Sequence, residues 1–275
     1  MNIIIRILGS LEARINQPRL KLFRTIYFNF RTLPLKHAIK LPVFIYGRVR
    51  LFCLNGKVKF ENTSIKMGMI KIGINVDSFA SFDHSSFIQL ASPDAKIVFR
   101  GPCRISLNSK IRVTIGELKL GKYVTFGSGA RVICNGEYIW IGDYTRTAFD
   151  VTIINSGFHS IYNGEKGGFK RTTFPIEIGA KSWIANKVSI APGAKVKDYT
   201  IMCAGSLINK DYTLLEGECP MLAGCPAKVI SFGLKRVFSP QYEEDINAWF
   251  RNHPDEIFYT VDAFNDNCED ISSEF

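Results

Sequence analysis

Histidine is scarce in this chain: positions 37, 84, 159 and 253 are the only four. A multi-histidine metal centre is therefore not expected, because a zinc site needs several nitrogen or sulfur ligands converging at one point. The seven cysteines (53, 103, 134, 203, 219, 225 and 268) are odd in number and contain no CxxC pair. Neither a zinc framework nor a disulfide scaffold is expected, and free thiols in a reducing cytosol are the plain reading. No apolar run approaches the roughly 20 residues needed to span a bilayer. The opening stretch Met1 to Leu8 is apolar but broken by Arg6, and no small-residue cleavage site follows, so a signal peptide is not expected. A hydrophobic content of 46% and a charged content of 22% are those of a globular protein. At this length one domain can bury a sizeable core.

Acidic residues are nearly missing from residues 1–60, where Glu12 stands against twelve lysines and arginines, while the stretch after Ser239 is acidic. This asymmetry accounts for most of the formal charge of +10. A solvated face or subunit contact and an anionic membrane surface both fit such a segment. Nucleic acid is not expected as a partner, since no recognised binding motif accompanies the charge.

What the chain does have is a period of six. Ile178, Ile184, Ile190, Val196, Met202 and Ile208 recur at that spacing, and Ser182, Val188, Ala194, Thr200 and Ser206 form a second series four places behind each. Helices repeat near 3.6 residues and strands near 2, so six fits neither. It fits a solenoid of short strands and tight turns whose aliphatic residues share one interior. Gly179, Gly193 and Gly205 fall between inward positions, where positive φ is expected.

Upstream, helical spacing predicts two short helices over residues 3–31, separated by Pro18, with Leu22, Phe23, Ile26, Tyr27 and Phe30 packed on the end of the solenoid. Residues 43–60 alternate as strands. Irregular repeats follow, with Ile70, Ile72, Ile74, Val76, Ile97, Ile105, Val113 and Ile115 as inward candidates, and the six-residue spacing returns at Leu120, Phe126 and Val132. The glycine-rich segment 156–174 cannot form a wall and must project as a loop. Ser239-Pro240 reads as the cap and first turn of a helix that Trp249 and Phe250 would dock, and residues after Asp262 are expected to fray. Three parts result: a basic cap over 1–60, a solenoid over 61–232 carrying the loop, and a helix with an acidic tail over 233–275.

The wording PIEIGAKSWIANKVSIAPGAKVKDYTIMCAGSLINKD, followed by AGCPAKVI, resembles the hexapeptide-repeat acyltransferases, in particular the maltose and galactoside O-acetyltransferases and the acetyltransferases of capsule and exopolysaccharide synthesis. The similarity runs from Ile139 to Ile230. It implies an all-β solenoid, a left-handed parallel β-helix of hexapeptide repeats, acting as a cytoplasmic homotrimer on a sugar acceptor with acetyl-CoA as co-substrate and no metal. In that family a histidine just after a glycine, ahead of the loop, is the catalytic base; here Gly157-Phe158-His159 carries one extra residue, and His159 takes the role. The resemblance also assigns Trp183, Asn186, Ala204, Asn209, Lys210 and Lys228 to the coenzyme. Asp150, Asn155 and Arg171 are candidates for the acceptor, and a carboxylate, Asp143 or Asp150, or a backbone carbonyl for orienting the imidazole. An N-acetyltransferase acting on an amino sugar and a non-catalytic binding solenoid are the alternatives.

Overall fold

A computed structural model describes residues 17–76, 85–264 and 268–275. The chain winds as a prism with three parallel walls. Wall one contains Val43–Ile45, Ile70–Ile74, Cys103–Ser106, Val124–Phe126, Arg146–Thr147, Trp183–Ile184, Ile201–Met202 and Met221–Gly224. Wall two contains Val49–Leu54, Ser86–Leu90, Thr152–Ile154, Ser189–Ile190 and Leu207–Ile208; wall three contains Lys57–Phe60, Ala95–Phe99, Ile176–Ile178 and Lys195–Val196. The long strands Lys110–Leu120 and Arg131–Ile141 serve both, turning from wall two into wall three. Trp183 pairs with Ile201, Ser189 with Leu207 and Glu177 with Lys195, so one turn of the late coil is three six-residue units.

Every residue of both predicted series between Ile178 and Ile208 is buried, down to the hydroxyls of Ser182, Thr200 and Ser206. Ser182 and Thr200 donate to the carbonyls of Gly179 and Lys197, which satisfies buried polar groups without disturbing the walls. Gly193 and Gly205 turn with φ of 83° and 71°, as expected, whereas Gly179 does not adopt positive φ. Its requirement is close approach: an added Cβ would lie 2.3 Å from the carbonyl carbon of Lys197 in the next coil.

Four expectations change. Ile115 is 45% exposed, because the ladder between the two long strands shifts register near Asn135. The helix Leu22–Thr32 buries Thr25, Phe28, Asn29 and Thr32, and its predicted packing stripe faces outward. Ser239 does cap the helix Pro240–Asn252, accepting from the Tyr242 N–H, but that helix buries no residue; Trp249 stacks instead on His253 and Tyr259. The last residues return to the prism as the turn Cys268–Glu274, with Cys268 and Ile271 buried, where fraying was expected. The helix predicted within residues 3–15 lies outside the described residues, as does His84. No helix among the described residues is long and apolar enough to cross a membrane.

Candidate active site

The sequence-predicted residues fall on three different corners of the prism. At the corner between walls two and three, the chain leaves the coil after Thr152–Ile154 and rejoins it at Ile176–Ile178. The stem of this excursion is stapled. Gly157 N–H donates to the Thr172 carbonyl at 3.0 Å, Phe174 N–H to the Asn155 carbonyl at 3.0 Å, and the Thr173 hydroxyl to Ser156 Oγ at 2.9 Å. Its tip is a small antiparallel pair, Tyr162–Asn163 with Gly168–Phe169.

The extra residue before the histidine is absorbed locally. Phe158 adopts φ of 60° and donates its N–H to Ser156 Oγ, while His159 N–H closes a tight turn on the Gly157 carbonyl at 2.7 Å. His159 therefore stands exposed at the root of the loop, and no described residue hydrogen-bonds its ring. Asn209 and Lys210 follow Leu207–Ile208 at the same corner, two coils further along. Lys210 Nζ lies 5.3 Å from the centre of the Tyr212 ring. Arg171, exposed on the returning arm of the loop, pairs with Glu137.

Asn155 is not available to an acceptor. It is fully buried; Nδ2 donates to the Gly136 carbonyl at 2.7 Å and Oδ1 accepts from the Asn135 N–H at 2.8 Å, so its amide closes the wall where the coil breaks. Asp143 and Asp150 are also elsewhere. Asp143 Oδ1 accepts from the Lys122 N–H at 2.9 Å at the corner between walls three and one. Asp150 turns the corner between walls one and two with φ of 58°. Neither corner is the one that bears His159.

The remaining candidates line the corner between walls one and two. The register of Trp183 with Ile201 puts Asn186 beneath Ala204, and the Gly205 N–H donates to the Asn186 carbonyl at 3.0 Å. Asp150 lies one coil earlier, since Lys187 N–H bonds the Phe149 carbonyl at 3.1 Å. Lys228 lies opposite Ala223 in the hairpin that follows. Ala204 and Lys228 are exposed, and an added Cβ on Gly205 would meet nothing, so a smooth open lane runs along this edge toward a cation. Such a lane suits the extended arm and terminal phosphates of coenzyme A.

Sequence reasoning missed two arginines beside it. A cavity of about 330 Å³ is lined by Thr125, Arg146, Thr147, Phe149, Trp183 and Arg236, among others. The Arg236 guanidinium lies 4.1 Å from the centre of the Trp183 indole. Burial, with Arg146 adding to it, pushes Arg236 down to about 10, which still leaves it a cation at neutral pH. Arg146 is lowered by burial too, against the pull of Glu274, whose Oε2 accepts from Arg146 and Arg104 at 2.7 Å each. Arg236 Nη1 and Arg146 Nε are buried with no hydrogen-bond partner among the described residues. The only available signal was local and weak: Arg146 occupies an ordinary outward repeat position, and Arg236 lies in an unpatterned stretch.

Two buried thiols are not competitive as nucleophiles. Burial raises Cys103 far above the ordinary thiol range and pushes Cys134 up to about 12, so both stay protonated. No group of three or more His, Cys, Asp or Glu among the described residues is placed to hold a metal ion.

No family model matches the chain. Individual relatives do. It is 30% identical over 141 residues to the galactoside O-acetyltransferase of Escherichia coli (strain K12), a match covering 46% of this chain and 67% of that one. It is 29% identical over 110 residues to the putative colanic acid biosynthesis acetyltransferase WcaF of the same organism, covering 34% of this chain and 59% of the relative. Among solved structures, the polySia specific acetyltransferase NeuO superposes with a TM-score of 0.51 at 17% identity, over 80% of this chain and 85% of that one. That likeness concerns the fold, a left-handed parallel β-helix. With a six-residue coil and 30% identity to the galactoside enzyme over two thirds of its length, this chain is an acyltransferase of the hexapeptide-repeat family.

Proposed function

We propose that this protein moves an acetyl group from acetyl-CoA to a sugar hydroxyl during the synthesis of a surface polysaccharide. Support comes from the relatives named for galactoside and colanic acid acetylation. The observation that carries the mechanism is the exposed imidazole of His159, held by a stapled stem where the regular wall opens. His159 takes the proton of the acceptor hydroxyl. The oxygen forms a bond to the acetyl carbonyl carbon, and the tetrahedral intermediate collapses with cleavage of the carbon–sulfur bond. The imidazolium returns its proton to the departing thiolate, so the products are the ester and free coenzyme A.

In a single chain, His159 and the lane from Trp183 to Lys228 occupy different corners with wall two between them. The strands of wall two carry the chain from one corner to the other. A site that uses both is completed between copies, which is why we read the working form as a homotrimer with shared sites. We read the division of labour as binding and reaction in residues 61–232, with a basic part before them and, after them, Arg236 and Glu274 set against wall one. We assign the reaction to the cytoplasm.

Replacing His159 by Ala should lower kcat about 100- to 10,000-fold while stabilisation of the protein by coenzyme A in thermal shift is retained. Retained turnover would move the base elsewhere, and no coenzyme-dependent stabilisation of the parent protein would favour a non-catalytic solenoid. A dilution series should show specific activity collapsing as the assembly dissociates; activity proportional to monomer would exclude a shared site. Arg236→Ala should raise the coenzyme KM more than it lowers kcat, because it removes a buried guanidinium from the cavity beside Trp183.

A further inference from the structure

We propose that the outward face of the helix Leu22–Thr32 docks on an anionic lipid surface. The inference begins with an inversion. In an ordinary amphipathic helix the polar stripe meets water and the apolar stripe meets the core. Here Thr25, Asn29 and Thr32 are fully buried. Thr32 donates to the Phe28 carbonyl of its own helix, and the reason for Thr25 and Asn29 is the strand they meet: Val43–Ile45 is the outermost strand of wall one, at the end of the prism. Asn29 Nδ2 donates to the Val43 carbonyl at 2.7 Å, Asn29 Oδ1 accepts from the Val43 N–H at 3.1 Å, and Thr25 Oγ1 accepts from the Ile45 N–H at 3.0 Å. The side chains of the helix thus replace a missing coil.

That use of the polar stripe leaves the apolar stripe without a packing partner among the described residues. Phe23 is 89% exposed, and Leu22, Ile26, Tyr27 and Phe30 are exposed beside it. The short helix Leu35–Ala38 continues the surface with Leu35 and Ile39, also exposed. A contiguous aromatic and aliphatic surface of this kind marks a contact site.

Charge selects the occupant. Residues 17–60 contain ten lysines and arginines (Arg19, Lys21, Arg24, Arg31, Lys36, Lys40, Arg48, Arg50, Lys57 and Lys59) and no aspartate or glutamate. Lys21, Arg24, Arg31, Lys36 and Lys40 are exposed on or next to the apolar face. An open hollow of about 510 Å³ beside the helix is lined by Lys21, Phe23, Arg24 and Arg48 among others, placing cations around an apolar floor. Two copies joined through this face would bring like charges together, which is unfavourable. A bilayer leaflet with anionic headgroups offers negative charge at the rim and hydrocarbon beneath it, which matches both halves of the surface.

The inference is independent of the acyl-transfer reading. Its test is co-sedimentation of the full chain with phosphatidylcholine vesicles, alone or containing about one third phosphatidylglycerol. Binding is expected to the anionic vesicles only, to fall as salt is raised, and to resist added inorganic phosphate. Phe23→Ser with Phe30→Ser should weaken it about tenfold or more, as should Lys36→Glu with Lys40→Glu, each with unchanged circular dichroism and melting temperature. The proposal is overturned if the intact chain ignores anionic vesicles. It is also overturned if binding survives both double variants and disappears on removing residues 1–16, or if those variants instead abolish a concentration-dependent self-association.

Discussion

Between Ile178 and Ile208, both six-residue series face the interior of the prism. In the helix Leu22–Thr32, Thr25, Asn29 and Thr32 face the protein around a single aromatic, Phe28, while Leu22, Phe23, Ile26, Tyr27 and Phe30 face out. The two regions differ in what their neighbours need. A coil in the middle of the prism has its backbone satisfied by the coils on either side, so its side chains are free to fill the interior with apolar volume. The helix meets the end of wall one, where backbone donors and acceptors are still open, and an unpaired buried polar group costs more than an exposed aromatic one. Hydrophobic pattern therefore reports the interior only where hydrogen bonding is already settled.

The sharpest way to break that comparison is to place the same residue in both regions. Ile190→Asp should unfold the protein or destabilise it by about 4 kcal/mol or more, because it buries an unpaired carboxylate in the ladder. Phe23→Asp should change stability by no more than about 0.5 kcal/mol, as for an exposed surface site. Equal losses in urea denaturation would mean that the helix face is not free.

A smaller effect tests the polar stripe directly. Asn29→Leu keeps the volume but strands the backbone of Val43, and should cost about 2 to 3 kcal/mol. If it were neutral, the helix would not be serving as the missing coil. Gly179→Ala should cost about 1 to 3 kcal/mol through overpacking against Lys197, with the walls otherwise intact.

The smallest effect belongs to the outer surface of wall three. Glu177 is held below the usual carboxylate range, first by the Tyr138 hydroxyl at 2.6 Å and also by Lys195 at 2.9 Å. A depressed carboxylate adds stability that is present above its unfolded pKa and is lost as pH falls through the folded one. Glu177→Gln should therefore lower the melting temperature slightly at pH 7, by less than about 1 kcal/mol equivalent, and the gap should close below about pH 4.

The candidate site was legible in part. The loop over 156–174 was readable because glycine and polar residues cannot continue a wall, and His159 at its root followed from the family wording around it. Asn155 was misread because an asparagine at a coil break looks the same whether its amide faces a ligand or closes the backbone. Arg146, Arg236 and Glu274 were not legible: the Arg104–Glu274 contact spans 170 positions, and no local pattern announces it. The return of Cys268–Glu274 to wall one has the same origin, since two buried side chains and one shared carboxylate overrule an otherwise solvating composition.

The six-residue recurrence by itself determined the coiled walls, which residues fill them and where they open, because each repeat meets neighbours built by the same rule. Only the tertiary structure decided which stripe of the helix Leu22–Thr32 points inward, which corner each site residue occupies and what covers wall one. Those outcomes depend on backbone groups and charges supplied by distant parts of the chain, and a local pattern carries no record of them.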